Sequence, residues 1–355
     1  MKKAKVKKVK ILWMILLTVL LLWAGTSVQV FAATLGGQQA TGSLKVTVNN
    51  GIINIERYAN GWQKQYYAPT GAVLDLNGEL VGLGGYYINT PLQSTSEIVS
   101  GNGTIVTTVW NYNSSVQITQ KVTLPSASAQ YIYLEWTVKN TGSATINQLH
   151  LLRGHDSYLA GGDNGAGFWD ANTNTIGVQK SVDGVMQRLG MQGITIPHTY
   201  ESRNYSLVHA EVRNGGTLSN VIDPNELVDN GYALEWYRES LLPGDTWRIM
   251  AIESFVSSPV VAVGDSIDTN TTGEPVVLPF EVINSSSISQ DVTYSVQAPE
   301  GWTVVMERTG DALEAGQRKN LNVTVTPPRG ASYGTYNVVL TVSTPNASAM
   351  AMGKI

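Results

Sequence analysis

The sequence predicts an all-β protein with two domains, a large antiparallel β-domain followed by a small β-sandwich. Charged residues are only 14% of the 355 residues and glycines number 35, a composition typical of strands joined by polar turns. Many short segments alternate apolar and polar residues, as strands with one buried face do. Asn-Gly, Asn-Ser and Pro-Gly pairs separate these segments and favour tight turns.

Five segments are predicted along the chain. They are a signal peptide at 1–32, a loose leader at 33–43, the large β-domain at 44–257, the small sandwich at 258–345 and a disordered tail at 346–355. Two folded domains are the ordinary expectation for a chain of this length. The chain has no cysteine, and a domain of about 220 residues can bury an ample core without disulfides.

The first 32 residues have the pattern of an export signal. Six lysines precede an apolar run over 11–23, and the small residues before Ala32 favour cleavage after it. The alternative is an uncleaved anchor through Ala33, which could just span a bilayer of about 30 Å and would be the only membrane contact. We expect a bacterial protein that is secreted or held at the cell surface, because eukaryotic secreted proteins usually carry disulfides.

The net charge excludes one class of partner. Cleavage after Ala32 removes six lysines and no acidic residue, so the formal net charge changes from −4 to −10. Nucleic acids bind basic surfaces, and we therefore expect no nucleic-acid partner.

Hairpins account for the first part of the large domain. Strands at 44–48 and 53–55 flank the Asn50-Gly51 turn, and the Asn77-Gly78 pair marks a second hairpin. One helical turn is predicted at 221–227, with a cap at Asp223 and Pro224 in the first helical position. Further strands are predicted at 105–110, 116–122, 131–138, 146–152, 175–180, 186–196, 206–212, 232–237 and 247–256.

The C-terminal part shows the same alternation in shorter segments. A spacing of about ten residues between strands, with Gly, Pro and Asn turns, is typical of a sandwich of immunoglobulin type. The strands are predicted at 276–283, 292–296, 302–305, 321–326 and 336–342.

The stretch 149–180 is predicted to be a loop between strands and to hold the candidate site. Arg153, His155 and Asp156 could line a sugar pocket, since such groups supply the donors and acceptors that vicinal hydroxyls need, and Trp169 could stack on a pyranose face. The alternative is a tight loop in which Asp156 caps a turn and His155 bonds to the backbone.

Two further interpretations concern aromatic and acidic residues. Trp62 and Tyr66, with Tyr67, could form a second sugar-stacking platform, or they could fill a sandwich core. Asp156, Asp163 and Asp170 could bind Ca²⁺, which prefers six to eight oxygen ligands. The alternative is a metal-free loop, because Asp and Asn beside Gly are ordinary turn residues.

Carboxylate pairs are a further catalytic possibility. Glycoside hydrolysis needs two carboxyl groups about 5–9 Å apart, and solvent-facing strand positions explain the same residues equally well. The candidates are Glu235 and Glu239, together with Glu201 and Glu211, which lie in sequence near His198 and His209.

Residues 131–256 resemble the galactose-mutarotase-like supersandwich in its accessory form. The similarity lies in the segment YIYLEWTVKNTG, in the Arg153/His155/Asp156 segment and in the later ALEWYRESLLPGDTWRIMAI pair of strands. The resemblance implies a large antiparallel supersandwich fold. The sequence around His150 and His155 does not reproduce the histidine motifs of mutarotases, so the resemblance does not imply that activity.

The small domain resembles the α-galactosidase-associated (NPCBM-associated) Ig-like domain of bacterial exported proteins. The matching features are the turn formed by Pro299, Gly301 and Trp302, and the Pro327-Pro328 corner. This resemblance implies an accessory spacer and not a catalyst.

Three hypotheses about function follow. The first is an exported, non-catalytic protein that binds carbohydrate or cell-wall glycan, with the small domain as a spacer. The second is a sugar-active enzyme, an epimerase, lyase or hydrolase, with its site around His155. The third is a purely structural surface protein. No cofactor is implied, apart from the Ca²⁺ considered above.

Overall fold

The computed structural model describes the chain from Ala32 onward, with short gaps. The described ranges are 32–127, 129–171, 173–182, 185–255, 260–264, 267, 273–284, 288–332, 334, 336–345 and 348–355. The predicted signal peptide, apart from Ala32, lies outside these residues. Within the same ranges, no helix is long and apolar enough to cross a bilayer.

The predicted all-β class is confirmed, since strands dominate the described residues and the single helix among them is short. The first part of the chain forms β1 (Ala33–Gly36), β2 (Leu44–Asn49), β3 (Ile52–Tyr58), β4 (Trp62–Lys64), β5 (Ala72–Leu76), β6 (Glu79–Leu83), β7 (Ser96–Ser100), β8 (Ile105–Tyr112), β9 (Val116–Thr123), β10 (Tyr131–Asn140), β11 (Ile146–Asp156), β12 (Ala166–Asp170), β13 (Thr175–Val182), β14 (Val185–Gly193), β15 (Thr199–Asn204), α1 (Tyr205–Asn214), β16 (Asn230–Leu241) and β17 (Thr246–Ser254). The later part forms β18 (Val260–Gly264), β19 (Val276–Asn284), β20 (Gln290–Gln297), β21 (Thr303–Met306), β22 (Gly310–Leu313), β23 (Arg318–Thr326), β24 (Asn337–Ser343) and β25 (Ser348–Lys354).

Three sheets form the large domain, and all pairings between these strands are antiparallel. The sheets have the orders β1-β2-β3-β4, β12-β13-β14-β17-β10-β9-β8-β7 and β15-β16-β11-β5-β6. Side chains from the eight-stranded and five-stranded sheets meet in one core. Trp136 on β10 and Trp236 on β16 lie there with their ring centroids 5.9 Å apart, and both are buried.

The small domain consists of two four-stranded sheets, in the orders β18-β19-β23-β21 and β22-β20-β24-β25. Alternating residues of facing strands, such as Leu278 on β19 and Leu340 on β24, are buried in its core. All five strands predicted in this part of the chain are confirmed, as β19, β20, β21, β23 and β24.

Both predicted Asn-Gly hairpin turns are also confirmed. Asn50 and Gly51 connect β2 to β3 with φ of 51° and 81°, and Asn77 and Gly78 connect β5 to β6 with φ of 57° and 87°. Positive φ at both central residues matches the right-handed twist of the strands, and Asn and Gly adopt it at the lowest cost.

Two predictions about the chain ends were wrong. The loose leader contains β1, which pairs with β2 and buries Leu35. The tail contains β25, which pairs with β24 along 348–354. In both places, small and polar residues obscure the alternation in the sequence, but a neighbouring strand supplies the hydrogen bonds.

The helix lies elsewhere than predicted. Residues 206–212 belong to α1, not to a strand, and Val208 and Val212 pack one helical turn apart against Leu152. The side chain of Asn204 caps α1 by accepting from the Ser206 N–H at 3.1 Å. At 221–227 there is no helix, because the side chain of Asp223 accepts from Asn225 N–H in a local turn.

Candidate functional site

The stretch 149–180 is not a single loop, which corrects the prediction. Its first part belongs to β11, the central strand of the five-stranded sheet, and its later part to β12 and β13. Because side chains alternate along a strand, Arg153 and His155 point into the core, whereas His150 and Asp156 lie on the outer face that α1 partly covers.

A buried polar network surrounds Glu253 of β17 on the core-facing side of β11. Glu253 Oε1 accepts from Arg153 Nε at 3.0 Å and from His155 Nε2 at 2.8 Å, and its Oε2 accepts from the Tyr66 hydroxyl at 2.9 Å. The Tyr66 and His155 rings stack at 3.8 Å. All of these side chains are buried.

The protonation states in this network follow from burial and charge. Burial raises the pKa of Glu253, but attraction by Arg153 and His155 outweighs it and lowers that pKa to about 2. Burial lowers the pKa of His155 to about 4, against the attraction of Glu253. His155 is therefore neutral at pH 7, with Nε2–H donating to Glu253 and Nδ1 accepting from the Thr70 hydroxyl at 3.1 Å.

This network joins the two sheets across the core. Arg153, His155 and Tyr66 expose essentially no side-chain surface, so in this conformation they contact protein groups only. A role for them in binding a ligand stays a prediction.

The outer face carries a second charged group, centred on Glu235 of β16. Glu235 Oε1 pairs with His150 Nδ1 at 2.7 Å, and Oε2 pairs with His198 Nδ1 at 2.9 Å. The Thr199 hydroxyl donates to Oε2 at 2.7 Å. The Glu235 side chain is fully buried beneath the two imidazoles.

The Glu235 cluster, defined as Glu235, His150, His198, Thr199 and Tyr237, opens to solvent. The side chain of His198 is 48% exposed and Tyr237 is 38% exposed. The Tyr237 ring lies 4.8 Å from the His150 ring and 5.3 Å from the His198 ring. A carboxylate can only accept, so each Nδ1 donates and the Nε2 atoms remain without a partner among the described residues.

Of the predicted Ca²⁺ ligands, Asp156 and Asp163 lie near each other, whereas Asp170 lies on another strand. Asp156 ends β11 on the outer face, Asp163 follows in the 157–165 connection, and Asp170 ends β12. In the described part of the chain, no three His, Asp or Glu side chains are arranged to hold a metal ion. A Ca²⁺ site therefore gains no support from their placement.

The other two predicted aromatic residues, Trp169 and Trp62, lie on different strands. Trp169 stacks on Tyr200 with ring centroids 3.9 Å apart and an interplanar angle of 10°, which leaves at most one of its faces for a ligand. Trp62 lies in β4 of the four-stranded sheet, edge-on to Tyr58 and under the Lys45 ammonium group.

Each predicted carboxylate pair includes a carboxylate that basic side chains hold, and a role in glycoside hydrolysis stays a prediction. Glu235 is held by two histidines, as described above. Glu201 and Glu211 are both bound by Arg203, an arrangement that fixes α1 to β15.

The Glu235 cluster was not predicted as a unit. Its members come from β11, from β16, and from His198 and Thr199 at the start of β15. The register that places His150 opposite Tyr237 spans more than 80 residues of chain. The one signal in the sequence is that Glu235 and Tyr237 share a strand face with spacing two.

Comparison with known families identifies the small domain. Residues 270–344 match the family described as the NPCBM-associated, NEW3 domain of alpha-galactosidase, as the sequence predicted. No curated protein matches the chain in sequence.

The solved structures to which the chain is similar include polysaccharide lyases. One is similar at 10% identity and a TM-score of 0.40, over 91% of this chain and 46% of that one. The heparan sulfate lyase HepC from Pedobacter heparinus is similar at 10% identity and a TM-score of 0.39, over 87% of this chain and 39% of that one. The chain thus spans less than half of these structures. The galactose-mutarotase-like resemblance is not confirmed.

Proposed function

We propose that the protein is an exported, non-catalytic carbohydrate-binding protein whose ligand site is the Glu235 cluster, with the small domain as an accessory spacer. The observation that carries the proposal is the pair of free Nε2 atoms beside a half-exposed tyrosine ring, all held by one buried carboxylate. Sugar sites combine an aromatic surface with a few fixed polar groups.

The geometry suits neutral hydroxyl groups. An imidazole whose Nδ1–H donates to a carboxylate has Nε2 as its second hydrogen-bonding atom, and hydroxyl groups can reach this atom in His150 and His198. Tyr237 offers its ring to the apolar face of a pyranose. The match of 270–344 to a domain of alpha-galactosidase supports a carbohydrate context.

A glycan array with the purified protein tests this function. Tyr237→Ala removes the ring and should abolish binding, and His198→Gln should weaken it by at least tenfold. Tyr112→Ala is the matched control, because Tyr112 is a partly exposed tyrosine on β8, outside both proposed sites. Retained binding in Tyr237→Ala, or no glycan bound by the wild type, would contradict the proposal.

One observation favours an enzyme as the second candidate. A carboxylate that holds the Nδ1–H of an imidazole orients it and stabilises its protonated form, as in general acid–base sites. Incubating the bound glycan with the protein and analysing the products separates the two functions. Turnover that is lost in both His198→Gln and Glu235→Gln would establish the enzyme.

A further inference from the structure

Three carboxylates gather at the opposite end of the same outer sheet face. Asp156 ends β11, Asp163 lies in the following connection, and Asp229 directly precedes β16. Hydrogen bonds bring these segments together, since Ser157 Oγ donates to Asn230 O at 2.6 Å and Gly165 N–H donates to Val228 O at 3.1 Å, and the charges of the three carboxylates act on one another. Burial and repulsion by Asp229 and Asp163 raise the pKa of Asp156 to about 7.

These carboxylates have unused hydrogen-bonding capacity. Asp156 is only 3% exposed, and its Oδ1 has no partner among the described residues. Asp163 and Asp229 each have one buried oxygen, Oδ1, that also has no partner among the described residues. Buried polar atoms in folded proteins are nearly always paired, so three such oxygens in one neighbourhood indicate a missing partner.

Lys64 lies near these carboxylates but forms no ion pair with them. Lys64 is the cation that acts on Asp156, but its Nζ lies over the rings of Tyr67 at 4.0 Å and Tyr158 at 4.1 Å. No ion pair in the described part of the chain includes any of the three aspartates. Lys64 also shows that an ammonium group rests between tyrosine rings on this surface.

Aromatic and polar groups lie beside these carboxylates. Tyr67 N–H donates to the backbone oxygen of Asp156 at 2.9 Å, and the charges of Asp156 and Arg213 both act on Tyr86 and Tyr87. The rings of Tyr86, Tyr87 and Tyr205 surround His209 edge-on, at 5.0, 5.3 and 5.6 Å. The buried Tyr87 hydroxyl and His209 Nε2 have no partner among the described residues. Tyr86 is 37% exposed and Tyr67 is 56% exposed, so tyrosine rings form the solvent side.

These features favour one kind of ligand. A bare metal ion does not fit, because no set of three ligands converges in the described residues. An ammonium group does fit, since it carries three N–H donors that can reach separate acceptors, and tyrosine faces attract cations. The Tyr87 hydroxyl and His209 Nε2 add partners for neighbouring hydroxyl groups.

We propose that this Asp156 cluster, defined as Asp156, Asp163, Asp229, Tyr86, Tyr87 and His209, binds an amino sugar through its free, protonated amine. The site lies beyond the Glu235 cluster and does not depend on the function proposed for it. The amine supplies the positive charge that the carboxylates lack, and the sugar ring lies against the exposed tyrosines.

Calorimetric titration of the purified protein with D-glucosamine, N-acetyl-D-glucosamine and D-glucose at pH 7 tests the proposal. Glucosamine should bind, and the two neutral sugars should bind at least tenfold more weakly. Asp156→Asn should weaken glucosamine binding at least tenfold, whereas Asp291→Asn, an exposed aspartate of the small domain, should leave it unchanged. Asp229→Asn provides the same comparison if Asp156→Asn does not fold.

Binding of the amine should also release a proton from the protein. Because the amine needs ionised Asp156, binding at pH 6 should release a proton, and the measured heat should then vary with the ionisation enthalpy of the buffer. That variation should be absent in Asp156→Asn. Failure of glucosamine to bind, or equal binding of glucose, would overturn the proposal. Tyr237→Ala should leave glucosamine binding intact, which separates this result from failure of the Glu235 cluster.

Discussion

Arg153 and Glu253 form an ion pair across the core of the large domain, with Nε and Oε1 3.0 Å apart and both side chains fully buried. The pair connects β11 of the five-stranded sheet to β17 of the eight-stranded sheet. His155, Tyr66 and Arg153 use both carboxylate oxygens. Removing the carboxylate charge would leave a buried guanidinium without its counter-ion.

We therefore expect Glu253→Gln to lower the free energy of unfolding by about 3–5 kcal/mol, the usual cost of breaking a buried pair. Urea denaturation measures this change. The matched control is Glu281→Gln, which removes an exposed pair with Arg318 and should cost less than about 1 kcal/mol. Equal effects of the two variants would show that the buried network does not stabilise the fold.

His209 should make the protein less stable in mild acid. Burial, with the charges of Arg213 and His155, lowers the pKa of His209 from 6.5 to about 4. As pH falls below 6.5, the unfolded chain binds a proton that the folded protein does not bind until about pH 4, so stability is lost across that window. Between pH 7 and pH 5, wild type should lose about 2 kcal/mol more than His209→Gln. Urea denaturation at the two pH values measures this difference. Equal losses of stability in wild type and His209→Gln would contradict the prediction.

Asp156 should give the folding stability the opposite pH dependence. Its pKa is raised from 3.8 to about 7, so the folded protein holds a proton that the unfolded chain releases, and stability falls as pH rises through this range. Asp156→Asn removes this loss of stability at high pH. Relative to wild type, it should gain about 2 kcal/mol more at pH 8 than at pH 5. Asp291→Asn should give no such difference, and a gain independent of pH would contradict the assignment.

Gly215 ends α1 in a conformation that favours glycine. Its φ is 71° and its ψ is −172°, and an added Cβ would lie 2.4 Å from Leu80 Cδ2 and 2.8 Å from Asp75 Oδ2. Gly216 has a similar φ of 73° but open space around it. Gly215→Ala should therefore lower the melting temperature clearly more than Gly216→Ala, which carries only backbone strain of about 1–2 kcal/mol.

The sequence predicts elements well where local signals agree. Val116 to Thr123 and Tyr131 to Asn140 alternate cleanly, and both form strands with alternating burial. It fails at α1, because Val208 and Val212 are strand-favouring residues whose helical spacing becomes decisive only when Leu152 lies beneath them. Pro224 gave a false helix signal because proline suits turns as well as first helical turns.

The candidate sites depend on register, which local patterns do not specify. Two of the residues selected from the sequence, Arg153 and His155, do converge with a carboxylate, but on the buried face of the sheet. His150 and Asp156 lie on the other face of the same strand, and their partners come from β16 and from connections distant in sequence. A shift of one residue would exchange the two faces.

The buried network also bears on how the chain folds. Tyr66 and Glu253 are 187 residues apart in sequence, and Arg153 and Glu253 are 100 apart. Contacts of such long range slow folding, because a large loop must close before they form. The core of the large domain can therefore form only after Glu253 has been synthesised. The chain remains unfolded for a comparatively long time before then.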